Sequence, residues 1–191
     1  QPRRNQEHCP VHDEREETER DDQEGDRVDD GADDGQGRGL EAGAAGDDDR
    51  EAIAIGADHG GWQQKAVLVD WLTKQGYAVR DCGTHSDDAV DYPDFALAVA
   101  QLVADGSSRW GIVVDGAGIG SAMAANKVPG VRAANCHDLS SARNSREHNH
   151  ANVLTLGAGL IGDGLARQIV DEWLTTEWGP GRHADRVGKI T

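Results

Sequence analysis

The chain has 191 residues, enough for one domain of ordinary size, and a formal net charge of −16. The charge is uneven, because residues 1–50 hold 18 Asp or Glu against seven Lys or Arg and so carry −11 of the total. A strongly acidic chain repels nucleic acid and anionic membrane surfaces. The sequence also contains no run of about 18 apolar residues, the length that would predict a membrane span. Composition therefore argues against nucleic-acid-binding and membrane-spanning proteins.

The first 50 residues differ in kind from the rest. They contain almost no large apolar side chains, so they cannot bury enough surface to offset the chain entropy lost on folding. We expect a disordered acidic N-terminal extension over 1–50 and one folded domain over 51–191. The extension lacks the basic and apolar regions of a signal peptide, and three scattered cysteines suit reduced thiols, so a cytoplasmic location is expected.

Short apolar segments alternate with helical patterns from Glu51 onward. The predicted strands cover 52–57, 77–83, 110–115, 131–136 and 153–158. The predicted helices cover 61–74, 94–104, a segment ending near 127, 138–148 and 163–177. Short apolar strands separated by helices are typical of a parallel sheet that is covered on both faces. We therefore predict a doubly wound, Rossmann-like α/β fold with a five-stranded parallel sheet.

A glycine loop follows the third predicted strand. The strand WGIVVD runs into GAGIGS, so Asp115 ends the strand and Gly116, Gly118 and Gly120 follow at alternate positions. Glycine lets the backbone turn sharply and approach a ligand closely, and the next helix presents unpaired N–H groups to the same place. The loop is therefore predicted to cradle a ligand.

Polar side chains also lie at other strand ends and helix starts. Asp58 and His59 follow the first strand, and Tyr92 precedes a proline that suits the first turn of a helix. An open parallel sheet binds ligands beyond the carboxyl ends of its strands, near the switch in strand order. Near the C-terminus, Arg182 and Arg186 have the i, i+4 spacing that suits forked binding of a phosphate, although a charged helix face explains that spacing equally well.

Together these segments resemble the ribose-5-phosphate isomerase B and galactose-6-phosphate isomerase family. The resemblance runs from Ile53 to Ile190 and is carried, in order, by IGADHGG, DCGT, DYPDFA, GAGIG, AANKVPGVRAA, SARNSREHN, ANVLTLGA and GRHADRV. It implies the doubly wound fold and an enzyme that interconverts an aldose phosphate and a ketose phosphate without metal or organic cofactor. It also implies a homodimer or homotetramer whose active sites draw side chains from two subunits.

The resemblance further implies which residues act on the sugar. Ring opening, assigned to His59 and His148, precedes proton transfer between C1 and C2 through an enediolate. Backbone N–H groups of the glycine loop would stabilise the enediolate oxygen. The implied substrate-binding residues are Asp58, Tyr92, Gly116, Gly118, Ile119, Gly120, Ser121, Asn149, Arg182 and Arg186, with the two arginines on the phosphate.

Two residues depart from the family's pattern at the centre of this mechanism. Asp115 stands where well-known members have the cysteine that serves as the C1/C2 base, and Ala117 stands where they have a threonine. Relatives without that cysteine use a glutamate at the position of Ser121, so neither usual base is present. A partly buried carboxylate is a competent base for a proton next to a carbonyl. We therefore predict that Asp115 is the base, with an altered sugar preference or reduced activity on ribose phosphate.

Three alternatives stay open on sequence grounds. A dinucleotide-binding turn is the weakest, because the glycines follow the third strand and have GxGxG rather than GxGxxG spacing. The replaced cysteine and threonine also fit a sugar-phosphate-binding protein that no longer turns over substrate. Finally, a tetrose or hexose phosphate would undergo the same chemistry in a pocket of different depth.

Overall fold

The computed structural model describes residues 51–190; the acidic extension predicted over 1–50 lies outside the described residues, as does Thr191. The strands are β1 Ile53–Ala57, β2 Val79–Asp81, β3 Trp110–Asp115, β4 Ala133–Asn135 and β5 Val153–Gly157. The helices are α1 Trp62–Lys74, α2 Tyr92–Ala104, α3 Ile119–Ala125, α4 Leu139–Glu147, α5 Asp163–Thr175 and α6 Arg182–Val187.

The strands form one parallel sheet in the order β2-β1-β3-β5-β4. β1 and β3 pair in its centre, from Ile53 opposite Trp110 to Ala57 opposite Val114. Because β2 lies on one side of β1 and the later strands lie on the other, the strand order switches between β1 and β3. The five-stranded parallel α/β fold predicted from the sequence is confirmed, and the switch sets the ends of β1 and β3 side by side.

Helices cover both faces of the sheet. On one face, α1, α4 and α5 pack on the central strands around the fully buried Trp173. On the other face, α2 and α3 pack on the alternate strand residues. The approach of α2 is close, because a Cβ at Gly56 would lie 3.0 Å from Val99 and a Cβ at Gly111 only 2.7 Å from it. This contact fixes the helix whose first residue is Tyr92.

The edge strands are shorter than predicted. The sequence predicts strands over 77–83 and 131–136, whereas β2 and β4 have three residues each. An edge strand pairs on one side only, so its flanking residues leave the sheet as soon as that pairing ends. In contrast, α2 begins two residues earlier than predicted, at Tyr92, because Pro93 fits the first turn of a helix.

Candidate active site

Strand-end loops meet where β1, β3 and β5 end. The N–H of Ala158 donates to the carbonyl of Asp115 at 2.8 Å, which joins the loops after β5 and β3. The loop after β1 lies against the same segment, since a Cβ at Gly60 would lie 3.6 Å from the amide nitrogen of Gly116. The structure thus brings Asp58, Asp115 and the glycine loop together, at the place where an open parallel sheet binds ligands.

Asp115 organises the glycine loop. The residue is buried, and its Oδ1 accepts the N–H of Ala117 at 2.7 Å and the N–H of Gly118. Its Oδ2 accepts the N–H of Ser121 at 3.1 Å and the hydroxyl of the same residue. Hydrogen bonds to a charged acceptor are stronger than neutral ones. Four such bonds fix the carboxylate, and they fix the start of α3 in turn.

Two glycines of this loop are required by their surroundings. Gly118 has a φ of +76°, and a Cβ there would clash with Oδ1 of Asn135. A Cβ at Gly120 would lie 2.6 Å from the ring of Tyr92. The Tyr92 ring therefore packs directly on the first turn of α3, so two parts of the predicted site that are far apart in the sequence are in contact.

Some side chains at the glycine loop are buried, and others are exposed to solvent. Ser121 is fully buried with its hydroxyl on Asp115, whereas Ile119 is 51% exposed and Tyr92 is 41% exposed. The N–H groups of Ile119 and Gly120 lie in the first turn of α3 and have no acceptor within the helix. Because three other N–H groups of the loop bind Asp115, these two are the better candidates for oxyanion donors.

Asp58 and His59 lie beside this loop. Asp58 is buried, and its Oδ1 accepts two N–H groups of the turn that follows. Burial raises the pKa of this carboxyl, the hydrogen bond from Gly60 opposes the shift, and the negative charge of Asp115 adds to it. His59 is exposed, and its Nδ1 lies 3.1 Å from the carbonyl oxygen of Val90. The N–H of Val90 also lies 3.3 Å from Nδ1. When Nδ1 donates to the carbonyl, Nε2 is left as a proton acceptor, and when Nδ1 accepts the N–H of Val90, Nε2 carries the proton.

The remaining predicted residues lie at the opposite edge of the sheet. α4 runs back from the carboxyl end of β4, so His148 and Asn149 lie shortly before the start of β5. The five residues of β5 separate its two ends by about 13 Å. α6 belongs to this amino edge as well, since the N–H of Gly179, just before it, donates to the carbonyl of Glu147 at 2.9 Å.

The amino edge carries a basic group. His148 stacks on His183, with ring centroids 4.4 Å apart and ring planes within 6° of each other. Arg182 and Arg186 are exposed on the same short helix as His183. Desolvation lowers the pKa of His183, and the neighbouring His148 and the two arginines lower it further. Two exposed guanidinium groups on one short helix suit a phosphate.

Sequence reasoning left two residues of the amino edge out of the site. His183 lies within GRHADRV, but its stacking partner is 35 positions away along the chain. Arg146 is buried, donates to the carbonyl of Ala151 at 2.6 Å, and lies 4.0 Å from the ring centroid of Trp110. Burial lowers the pKa of Arg146 to about 10. It ties the end of α4 to the start of β5 and so supports the segment that carries His148.

The predicted residues thus fall into two groups. The carboxyl-edge group comprises Asp58, His59, Tyr92, Asp115, Gly116, Gly118, Ile119, Gly120 and Ser121. The amino-edge group comprises His148, Asn149, Arg182 and Arg186. Within residues 51–190, no three His, Cys, Asp or Glu side chains are placed to hold a metal ion together, and none of the helices in that range has the length and apolar character to cross a membrane.

Buried carboxylates and a glycine turn at a strand-order switch define an α/β enzyme with a strand-end site for a small polar ligand. Residues 53–190 match the Ribose/Galactose Isomerase family, and the chain belongs to it. The family predicted from the sequence is therefore confirmed, and the protein is an aldose–ketose isomerase of phosphorylated sugars.

Relatives of known name support this assignment. The chain is 45% identical to ribose-5-phosphate isomerase B of Escherichia coli strain K12, over 73% of this chain and 93% of the relative. It is 42% identical to D-erythrulose-4-phosphate isomerase of Pectobacterium atrosepticum, over 73% and 92% respectively. The structure of ribose-5-phosphate isomerase B from Clostridium thermocellum matches with a TM-score of 0.72 and 55% identity, covering 73% of this chain and 94% of that one.

Proposed function

We propose that this protein interconverts ribose 5-phosphate and ribulose 5-phosphate at a site shared by two copies of the chain. The observation that carries the proposal is the separation of the two groups in one protomer. The carboxyl-edge group has carboxylates and a glycine turn, whereas the phosphate-binding candidates Arg182 and Arg186 lie at the amino edge. A two-fold dimer contact brings the same two patches together twice, so one interface would build two complete sites.

An exposed apolar stripe beside the glycine loop supports such an interface. Ile119 and Met123 lie one turn apart on α3 and are 51% and 64% exposed. Apolar side chains that cluster next to a polar site are typical of a surface covered by a partner. We infer that a second copy covers this stripe in a homodimer, or in a homotetramer built from two such dimers.

The names of the relatives bear on the length of the sugar. The Escherichia coli relative is named for a five-carbon substrate, and the Pectobacterium atrosepticum relative is named for a four-carbon substrate. We place the pentose phosphate first, because the solved relative from Clostridium thermocellum is also named for ribose 5-phosphate. A tetrose or hexose phosphate is the alternative, and a phosphorylated substrate fits the cytoplasmic location expected from the sequence.

The proposed reaction begins with ring opening. His59 or His148 moves the proton between the C1 hydroxyl and the ring oxygen, which frees the aldehyde. Arg182 and Arg186 of the second copy hold the phosphate as forked donors, and Asn149 supplies a further polar contact. The scheme uses no metal ion and no organic cofactor.

Proton transfer between C1 and C2 follows. Asp115 removes the C2 proton as a carboxylate, electrons move into the C1–C2 bond, and the aldehyde oxygen becomes the enediolate oxygen. The N–H groups of Ile119 and Gly120 stabilise that oxygen. Asp115 then returns the proton to C1, and the proton on O2 passes to the enediolate oxygen on C1, which leaves the C1 hydroxyl and C2 carbonyl of the ketose. Uptake of the proton neutralises the carboxylate in the same step in which negative charge develops on the sugar.

The four hydrogen bonds of Asp115 limit how it can act as the base. Both of its oxygens already accept two donors each, so one donor must yield to the substrate proton. The hydroxyl of Ser121 is the donor that can turn away without moving the backbone. Asp58 is the second candidate for the base, because burial raises its pKa and no donor within residues 51–190 binds its Oδ2.

A sugar-phosphate-binding protein without turnover is the competing function. The resemblance implies a threonine at the position of Ala117 and a cysteine at that of Asp115, so a binding protein would lack one hydroxyl contact to the sugar together with the usual base. We favour the isomerase because the carboxylate at position 115 is held at the strand end beside the proposed oxyanion donors.

Deuterium exchange tests the proposed function directly. The protein would be incubated in deuterated water with four-, five- and six-carbon ketose phosphates, and NMR would follow proton exchange next to the carbonyl and aldose formation. We expect exchange and aldose formation with ribulose 5-phosphate. Turnover of a different sugar only would change the substrate, and saturable binding without exchange would support the binding protein.

A further inference from the structure

A buried lysine lies outside the site described so far. The side chain of Lys65 on α1 is only 2% exposed, and a charged lysine is rarely buried without a partner. Its ammonium group forms an ion pair with Asp81, the last residue of β2, and lies 3.5 Å from Nδ1 of His85. The pair therefore joins α1 to the end of an edge strand at the carboxyl edge.

Asp81 links this pair to the loop over 82–91. Its Oδ1 also accepts the N–H of Gly83 at 3.0 Å. The carbonyl of Gly83 accepts the N–H of Ala57 at 2.7 Å, and the N–H of Thr84 donates to the carbonyl of Ala57 at 2.8 Å. Ala57 is the last residue of β1 and immediately precedes Asp58. The ion pair thus anchors the loop at the point where β1 enters the site.

The far end of the same loop reaches the site again. Val90 contacts Nδ1 of His59 through its carbonyl oxygen at 3.1 Å and through its N–H at 3.3 Å. Tyr92, two residues later, packs on Gly120. Most side chains from 85 to 91 are exposed. A segment with few buried apolar contacts depends on its anchors for a defined geometry.

We propose that the Lys65–Asp81 ion pair is a positioning device that holds the loop over 82–91 and, through it, His59 and Tyr92. The inference rests on the proposed function, in which His59 acts on the sugar, and on the expectation that Tyr92 binds the substrate. Neither member of the pair touches substrate; each acts through the loop. A displacement of about 1 Å at a reacting group can cost roughly 100-fold in rate.

A matched pair of substitutions on α1 tests the proposal. Lys65→Met removes the buried ammonium group, and Lys74→Met removes an exposed one that pairs with Asp70 at 2.6 Å. We expect Lys65→Met to lower kcat/KM by about 10- to 100-fold and to speed amide hydrogen exchange at Thr84 and Val90. Both quantities are measured well below Tm. Lys74→Met should leave both quantities within two-fold of the unmutated protein.

Two further readouts separate positioning from plain stability. Ribulose 5-phosphate has no ring to open, so a displaced His59 should slow aldose consumption more than deuterium exchange into the ketose. Asp81→Asn keeps an acceptor for Lys65 and Gly83 and should show an intermediate loss, and it carries the test if Lys65→Met does not fold.

The proposal would be overturned if Lys65→Met lowers Tm but leaves kcat/KM and amide exchange at Thr84 and Val90 unchanged. If the unmutated protein turns over no sugar phosphate, the proposed function fails, while amide exchange in the loop still decides whether the ion pair holds it.

Discussion

The two edges of the sheet build their groups in different ways. At the carboxyl edge, Asp58 and Asp115 are buried, and backbone N–H groups of their own loops bind both carboxylates. At the amino edge, Arg182 and Arg186 are exposed on a helix of six residues. The first group is rigid because its donors are backbone atoms, and the second is adaptable because its long side chains end in solvent.

This contrast matches the two tasks of a sugar-phosphate isomerase. Proton transfer needs reacting atoms fixed within a fraction of an ångström. A phosphate is held by charge and by forked donors, which tolerate adjustment of the side chains. Substitutions at the carboxyl edge should therefore reduce the rate of chemistry, and substitutions at the amino edge should reduce affinity.

The largest expected effect comes from Asp115→Asn. An amide cannot take up the C2 proton, so exchange of that proton with solvent should fall by about 10²- to 10⁴-fold. Affinity for the sugar phosphate should change only a few fold, because the arginines of the amino edge are untouched. NMR exchange and a binding titration on the same preparation measure the two quantities.

Asp115→Cys is the matched control, since it installs the base that the family resemblance implies at this position. We expect it to retain more exchange than Asp115→Asn, and Asp115→Cys with Ala117→Thr to favour ribose phosphate further. Near-normal exchange in Asp115→Asn would show that Asp115 only shapes the loop, and Asp58→Asn should then abolish exchange instead.

A mixing experiment asks whether the two groups meet across two copies. Asp115→Asn damages the carboxyl-edge group, and the double variant Arg182→Ala, Arg186→Ala damages the amino-edge group, so each protein should be nearly inactive. After refolding together in equal amounts, half of the dimers are mixed, and each holds one complete site. About a quarter of the unmutated activity should return if the site lies across a two-fold interface. Mixed dimers that stay inactive would contradict a shared site.

Arg186→Lys gives a smaller effect and sharpens the contrast between the edges. Lysine keeps the charge but loses the fork that we propose binds two phosphate oxygens. We expect KM to rise by roughly 10-fold with little change in kcat, because the phosphate is held equally in the ground and transition states. A fall in kcat at unchanged KM would mean that the amino edge takes part in chemistry.

The sequence predicted the fold better than it predicted the contacts within the candidate site. Alternating strands and helices identified the parallel sheet, and motif order identified the family. The spacing of Asp115 and the loop glycines did not predict that the carboxylate binds N–H groups of its own loop. The same residues in the same order are equally compatible with a carboxylate that faces the ligand. It also missed Lys65 and Asp81, since a buried ion pair between a helix and an edge strand leaves no periodic pattern. Contacts between elements follow from packing, which local sequence does not encode.

The smallest expected effect is a change in Tm on substitution of Asp58. It tells whether the buried carboxylate serves the reaction or stabilises the fold. The pKa of Asp58 is raised, mainly by burial, so ionisation of this group costs stability as pH rises through its folded-state pKa. Asp58→Asn keeps the acceptor oxygen for the N–H groups of the turn, so its Tm should exceed that of the unmutated protein at neutral pH. That gap should close as pH falls and Asp58 is protonated.

Asp138, the N-cap of α4, is the control with the opposite sign. Its side chain accepts the N–H of Ser141 at 2.8 Å, and that hydrogen bond lowers its pKa. Its contribution to stability is therefore present at neutral pH and lost as pH falls through the folded-state pKa. Asp138→Asn should lower Tm slightly at pH 7 and not at all in acid. Thermal unfolding across pH measures both variants, and a neutral-pH loss of Tm in Asp58→Asn would mean that the buried carboxylate stabilises the fold instead.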